Sequence, residues 1–482
     1  MNTADTTVDQ AVRAAVASGL TTTTRADRAR WLRAAADALQ AASAELVPLA
    51  QRETHLGEAR LSGEVVRTAT QLRFFADVVE EGSYLEATVD APDASLIPPR
   101  PDLRRILRPL GVVAVFAASN FPFAFSVAGN DTASALAAGC PVVVKAHPGH
   151  PELSRRVAAV VRDAIRDAGG PADALVLVEG MAEGLALVRH PLVAAVGFTG
   201  STRGGRALFD LAVSRPDPIP FYGELGSVNP VVVTPAAAAE DAAGLAAGLA
   251  GSFTRDGGQY CTKPGLVFVP AGTAFESELA AAVASAPGQQ LLTEGMTGAF
   301  ADGSAGLAGR SDVDVVAIAD ADGSAPVVVA TDTAAFLADP ELFQQEHFGP
   351  LTLLVRYGDR DQLTAALAAL EGSLTGTVRT AASDDDALVA QATEALARVA
   401  GRVLFNGWPT GVAIAWGQHH GGPWPSSTAS VHTSVGASAV RRFLAPIAYQ
   451  DAPQHVLPAE LRDGNPAGIP RREDGLLVVP AT

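Results

Sequence analysis

The first ninety residues place Ala, Leu, Val and Trp31 at helical spacing, with one apolar face running through 26–53 and again through 63–80. A polar, proline-rich stretch, APDASLIPPRPDLRR at 91–105, breaks that period. From 112 to 233 the pattern changes to short β-branched runs separated by Ala-rich helical ones: VVAVF (112–116), PVVVK (141–145), ALVLVE (174–179), AAVGFT (194–199) and NPVVV (229–233). Runs that are apolar on both sides of the pleat belong to strands covered on both faces, so a doubly wound, parallel α/β sheet is expected here. Residues 236–253 read as one Ala/Gly/Leu helix. A second α/β unit follows, with strands at LVFV (266–269), VVVA (327–330), LTLLV (351–355) and RVLF (402–405). The last forty residues, from about 441, are mixed and proline-containing and suit a wrapping arm.

The 482 residues, 48% hydrophobic and 18% charged, suffice for two or three ordinary domains with large cores. A net charge of −17 leaves no basic surface to neutralise a phosphate backbone or an anionic bilayer, so neither nucleic acid nor a membrane is an expected partner. The uncharged stretch between Arg108 and Asp131 is not a membrane span, because Gly111, Ser119, Asn120 and Pro122 interrupt it. Two cysteines, Cys140 and Cys261, cannot build a disulfide framework and fit a reducing compartment. The opening MNTADTTVDQ has neither a basic nor an apolar segment, so no signal peptide is expected and the cytoplasm is the expected location.

Several positions carry candidate chemistry. Cys261, in the Gly-bearing turn RDGGQYCTKPG ahead of a strand, has the setting a reactive thiol needs, whereas Cys140 in ALAAGCPVVVK reads as a small core hydrophobe. Glu224, alone in the uncharged FYGELGS, is either a capping carboxylate or a base whose pKa burial raises towards neutrality. Asn120 lies past the carboxyl end of the first parallel strand, as a turn residue or as an amide donor to an oxyanion. GFTGSTRGG (197–205) is a plain glycine turn or a pyrophosphate-binding helix start. Of the 35 basic residues only Lys145 and Lys263 are lysine, which marks both as places where a compact ammonium is needed.

Taken together, NFP (120–122), VVVK ending at Lys145, FTGST (198–202), ELG (224–226), GQYC ending at Cys261 and EHFGP (346–350) resemble, in order, the aldehyde dehydrogenase superfamily. RTATQLRFFA (67–76), the segment 125–151, FNGWPTGV (405–412) and HGGPWPSST (420–428) look like its branch that oxidises 2-oxoglutarate semialdehyde (2,5-dioxopentanoate).

The resemblance implies a cofactor domain over 1–90 and 110–235, a catalytic domain over 236–430, and an oligomerisation arm from 91–109 and 441–482 that pairs copies into a homodimer or homotetramer. It also implies that Cys261 is the nucleophile, that Asn120 and the Cys261 N–H hold the oxyanion, and that Glu224 deprotonates water. Glu346 and Phe348 would hold the nicotinamide end of the cofactor, Lys145 the adenosine ribose, and Gly200, Ser201 and Gly205 the pyrophosphate. Many NAD-using relatives carry Glu three residues after that lysine. Pro148 stands there in this chain, so NADP is expected over NAD, with Lys145 and His147 drawing the extra phosphate. For a keto-acid substrate Arg255 is the first candidate cation and Lys263 the second, while Phe121, Phe123 and Phe125 are either simple core or, for a long-chain aldehyde, the lining of an apolar tunnel. No metal is expected. The alternatives are a broad-range or long-chain aldehyde dehydrogenase and, from another class, a cysteine hydrolase using His347, His419, His420 or His432.

Overall fold

The computed structural model describes residues 3–409 and 411–480. Thr410 of the FNGWPTGV segment, together with Met1, Asn2, Ala481 and Thr482 at the ends of the expected domains, lies outside the described residues. The fold is an α/β assembly of three sheets.

In the first sheet the strands Leu175–Val178, Val142–Lys145, Val112–Phe116, Val193–Thr199 and Phe221–Glu224 lie side by side in that order, all parallel. Their continuous apolar runs resolve into two faces. Val113, Val115, Val142 and Val144 pack against Leu32, Leu72 and Leu153 of the helices Arg25–Ala41, Glu58–Glu81 and Pro151–Asp167. Val112, Ala114, Phe116 and Val143 point the other way, onto Val12 of Thr3–Ala17, Leu187 of Met181–Arg189 and Ala212 of Thr202–Val213. Each such fully buried aliphatic contributes about 1.5–3 kcal/mol, which is why the strands tolerate no polar alternation.

The second sheet has seven strands in the order Asp314–Ile318, Val327–Asp332, Leu351–Tyr357, Leu266–Pro270, Val231–Val233, Ser373–Arg379 and Ala400–Phe405. All pairs are parallel except the first, an antiparallel edge. The NPVVV run, expected in the first sheet, belongs to this one: Val231–Val233 pairs with Leu266–Pro270 and Ser373–Arg379. The chain therefore crosses between sheets within LGSVNP, directly after Glu224. The expected single helix at 236–253 is two, Pro235–Glu240 and Ala242–Phe253, because Asp241 breaks the first and caps the second by accepting from Gly244 N at 2.9 Å.

A third sheet joins Leu444–Gln450, Leu103–Pro109, Thr88–Asp90, Arg471–Glu473 and Leu476–Val478, drawing its strands from both expected arm segments and starting slightly ahead of the first. Its edge strand leaves Leu476 and Leu477 exposed. Among the described residues no helix is long and apolar enough to cross a membrane.

Candidate active site

The strand order of the first sheet reverses between Val112–Phe116 and Val193–Thr199, and a doubly wound sheet opens its ligand crevice at the carboxyl ends of such a pair. Asn120 follows the first of these strands, Gly200 and Ser201 follow the second, and Glu224 ends Phe221–Glu224. From the second sheet come Cys261, on the turn before Leu266–Pro270, and Glu346 and Phe348, on the loop before Leu351–Tyr357. All of these residues line one cavity of about 280 Å3.

The turn that presents Cys261 depends on glycine. Gly257 and Gly258 have φ of 68° and 67°, and a Cβ on Gly258 would lie 2.4 Å from the carbonyl carbon of Gly349. The Asn229 side-chain amide donates to the carbonyls of Cys261 at 2.8 Å and Lys263 at 2.9 Å, pinning the turn to the sheet crossover. The Asn120 amide donates to Gln259 O at 3.0 Å, which fixes it beside Cys261 and leaves its second N–H for the cavity that it lines.

Glu224 is 4% exposed, with Oε1 3.0 Å from His420 Nε2 and Oε2 accepting from the Ser434 hydroxyl. Burial pushes its carboxyl up, but the charge and hydrogen bond of His420, the Ser434 hydroxyl and the Arg442 guanidinium together hold it below the ordinary carboxylate value. This corrects the expectation of a carboxyl raised by burial; the partners responsible lie 196 and 210 residues further along the chain. Cys261 Sγ is 3.6 Å from the same His420 Nε2. Burial and the charges of Glu224 and Glu346 push the thiol well above its ordinary value, with the Arg402 guanidinium opposing. The turn is thus not the exposed, thiolate-favouring site the sequence suggested. Cys140 is the core residue expected, its thiol pushed up to about 11 by burial.

The aldehyde dehydrogenase family model matches residues 1–305. The chain is 46% identical to alpha-ketoglutaric semialdehyde dehydrogenase 2 of Azospirillum brasilense over 93% of its own length and 87% of that protein's. It is 40% identical to the alpha-ketoglutaric semialdehyde dehydrogenase of Acinetobacter baylyi over 98% and 91%. The chain belongs to the aldehyde dehydrogenase family. Its fold is also that of a putative aldehyde dehydrogenase from Burkholderia cenocepacia, with a TM-score of 0.78 at 22% identity over 93% of this chain and 92% of that one. The protein is accordingly an NAD(P)-dependent aldehyde dehydrogenase.

The residues of this dehydrogenase fit a dinucleotide. Gly200 and Ser201 bring the start of the helix Thr202–Val213 to the crevice; Ser201 caps it by accepting from Gly204 N at 3.2 Å, and the first-turn N–H groups of Thr202 and Arg203 have no backbone partner among the described residues. Gly205 lies behind this turn, where a Cβ would meet Leu225 Cδ2 at 2.1 Å, so its place is close helix packing rather than the cavity wall. Lys145 ends its strand half-buried, and burial lowers its pKa. His147 is pushed down to about 3 by burial and by the charges of His150 and Lys145, so it is neutral at physiological pH. Its Nδ1 accepts from Gly149 N at 3.1 Å, leaving Nε2–H as a donor and no charge for a phosphate.

The substrate cations expected from the sequence are corrected. Arg255 is exposed on the 3-10 turn Arg255–Gly258 and is not part of the cavity wall. Lys263 is buried, donating to His347 O at 2.7 Å and Leu351 O at 2.9 Å, and burial lowers it to about 8 against the pull of Glu346. Closeness to Cys261 along the chain was a poor guide, because the backbone turns back at Asp256 and Gly257. Two other cations, also outside the cavity wall, stand beside the site on Glu58–Glu81. Arg60 lies over the rings of Phe121 and Tyr260 at 4.4 and 4.7 Å, and Arg67 over Phe125 at 5.5 Å. Phe121 and Phe125 form an apolar collar with Ala118, Val412 and Val435; Phe123 packs into the main core of the first sheet. The RTATQLRFFA segment, which begins at Arg67, was a sequence signal for that cation, while nothing in the sequence pointed to Arg60.

Proposed function

We propose that this dehydrogenase oxidises 2-oxoglutarate semialdehyde to 2-oxoglutarate, with NADP preferred over NAD, through a thioester on Cys261. The Cys261 sulfur adds to the aldehyde carbon, and the resulting oxyanion accepts from the second Asn120 N–H and the Cys261 backbone N–H. The nicotinamide, when bound, supplies the two-electron acceptor that turns the adduct into a thioester. Glu346 and Phe348 hold that end of the cofactor, and Gly200 and Ser201 the pyrophosphate. Glu224, ionised because His420 and Ser434 hold its pKa down, takes a proton from the water that attacks the thioester.

The convergence of Asn120, Glu224 and Cys261 on one cavity is the observation that supports this chemistry. Two further features support the keto-acid substrate. Both alpha-ketoglutaric semialdehyde dehydrogenases described above carry that substrate in their names. Arg67 has a buried Nη1 without a hydrogen-bond partner among the described residues, while its Nη2 donates to Val412 O at 2.8 Å. A half-buried, half-satisfied guanidinium beside an aromatic collar is a ready anchor for a carboxylate. Pro148 in place of an acidic residue supports NADP, since a 2′-phosphate then meets Lys145 without like-charge repulsion. The exposed Leu476 and Leu477 on the edge of the third sheet support assembly with a second copy through that edge. A thiol nucleophile also suits the reducing cytoplasm.

A steady-state panel of 2-oxoglutarate semialdehyde, a long-chain aliphatic aldehyde, NAD and NADP, run beside Cys261→Ser, tests the reading. The semialdehyde with NADP is expected to give the highest kcat/KM and Cys261→Ser none. Equal kcat/KM for the neutral aldehyde would favour the broad-range enzyme.

A further inference from the structure

The scheme above uses His420 only through Glu224 and leaves its close contact with the Cys261 sulfur without a role. Its ring is fully buried, at 0% exposure, and a single nitrogen, Nε2, faces both Sγ at 3.6 Å and Glu224 Oε1 at 3.0 Å. The other ring nitrogen, Nδ1, is buried without a hydrogen-bond partner among the described residues. The backbone around the ring is fixed: His420 N donates to the Thr433 hydroxyl at 2.8 Å, and His420 O accepts from Ser434 N at 2.8 Å. The ring therefore cannot swing away without breaking a buried network.

We propose that His420 is the base that takes the proton of Cys261. The S–H bond breaks, the proton bonds to Nε2, and the electron pair stays on sulfur, giving a thiolate beside an imidazolium. This rests on the reading of Cys261 as the nucleophile. In the acceptor form the imidazole proton sits on Nδ1, and the Nε2 lone pair faces the S–H group and Oε1 together. That arrangement is uncomfortable next to a carboxylate and is relieved when Nε2 gains the proton, since the new N–H then points between two negative groups; it is this imidazolium, present from thiol deprotonation until the sulfur departs, whose charge and hydrogen bond hold Glu224 low. Glu224 thereby stabilises the imidazolium through the same nitrogen that takes the proton, unlike the carboxylate of a Ser-His-Asp triad, which holds the opposite ring nitrogen. The proton returns from Nε2 to Sγ when the thioester carbon–sulfur bond breaks, so the balance closes over one turnover.

The scheme needs such a base. Two acidic groups and burial disfavour the thiolate, and the guanidinium groups of Arg402 and Arg67 oppose them only in part. The charged and titratable groups that bear on the pair are few. Glu224 and Cys261 touch the ring, and His419 adjoins it in the chain. Arg67, Arg402 and Glu346 act on Cys261, and Arg442 and Asp131 on Glu224.

The test is the pH profile of Cys261 alkylation by iodoacetamide in the full-length enzyme, read by peptide mass, for wild type and His420→Gln. Wild type is expected to react along a limb near neutral pH, and His420→Gln to shift that limb at least about one unit upward and to react about tenfold more slowly at pH 7. Superimposable profiles overturn the proposal. Should His420→Gln fail to fold, wild type alone decides: a limb confined above the ordinary thiol range, about 8.5, overturns it as well. Adding imidazole to His420→Gly, whose missing ring leaves room for it, should restore part of the alkylation rate. The parent reading fails separately, through turnover that survives Cys261→Ser.

Discussion

The side-chain amide of Asn229 donates to the carbonyl of Cys261 at 2.8 Å, tying the nucleophile's turn to the point where the chain crosses from one sheet to the other. Asn229 sits at φ 50° and is completely buried. Its Oδ1 also receives the Ser227 hydroxyl at 2.9 Å and the Thr375 N–H at 3.2 Å. Asn229→Ala would strand several buried polar groups at once. It is expected to cost about 3 kcal/mol in urea unfolding and to lower kcat more than KM, because the sulfur loses its fixed position.

Arg67 is expected to set the preference for an anionic aldehyde. Arg67→Met keeps the stem that packs on Phe125 but removes the charge. KM for 2-oxoglutarate semialdehyde should rise at least about tenfold, with little change for a neutral aldehyde of similar length. Parallel changes for both substrates would assign Arg67 to packing alone.

Lys145 is expected to carry the proposed coenzyme preference, since His147 is neutral and Pro148 uncharged. Lys145→Met should raise KM for NADP about tenfold and leave KM for NAD within about twofold. An equal loss for both coenzymes would place its contact at the shared ribose instead.

Two half-buried histidines give the fold an acid-sensitive limb. Burial pushes His147 down to about 3 and His347 to about 4 from the ordinary 6.5. As pH falls from 6.5 the unfolded chain takes up protons at both imidazoles that the folded chain refuses, so stability is full above 6.5 and is lost down to the folded values. The slope is about 1.4 kcal/mol per pH unit for each histidine. His147→Asn is expected to flatten the curve of urea midpoint against pH by one such contribution, while identical slopes would deny the burial argument.

How much was legible in advance follows from what each signal depends on. Cys261, Glu224 and Asn120 stood out because each is a reactive group in an apolar or glycine-rich setting at the end of a strand, and strand ends are local facts. The NPVVV strand was assigned to the wrong sheet because a short run buried on both faces looks the same in either. His420 was one of four histidines of equal standing, since only the fold brings it within 3.6 Å of a sulfur 159 residues earlier. Arg255 drew attention by nearness in the chain, while Arg60 and Arg67, on a helix far upstream, do the approaching in space.

Glu224→Gln offers the most direct test of the covalent mechanism, because an amide cannot take the proton of the attacking water. Mixed with 2-oxoglutarate semialdehyde and NADP, this variant should release about one equivalent of reduced cofactor per site and then stall. Peptide mass should show an acyl group on Cys261. A variant that turns over at the wild-type rate, or that carries its adduct anywhere other than Cys261, would contradict the account.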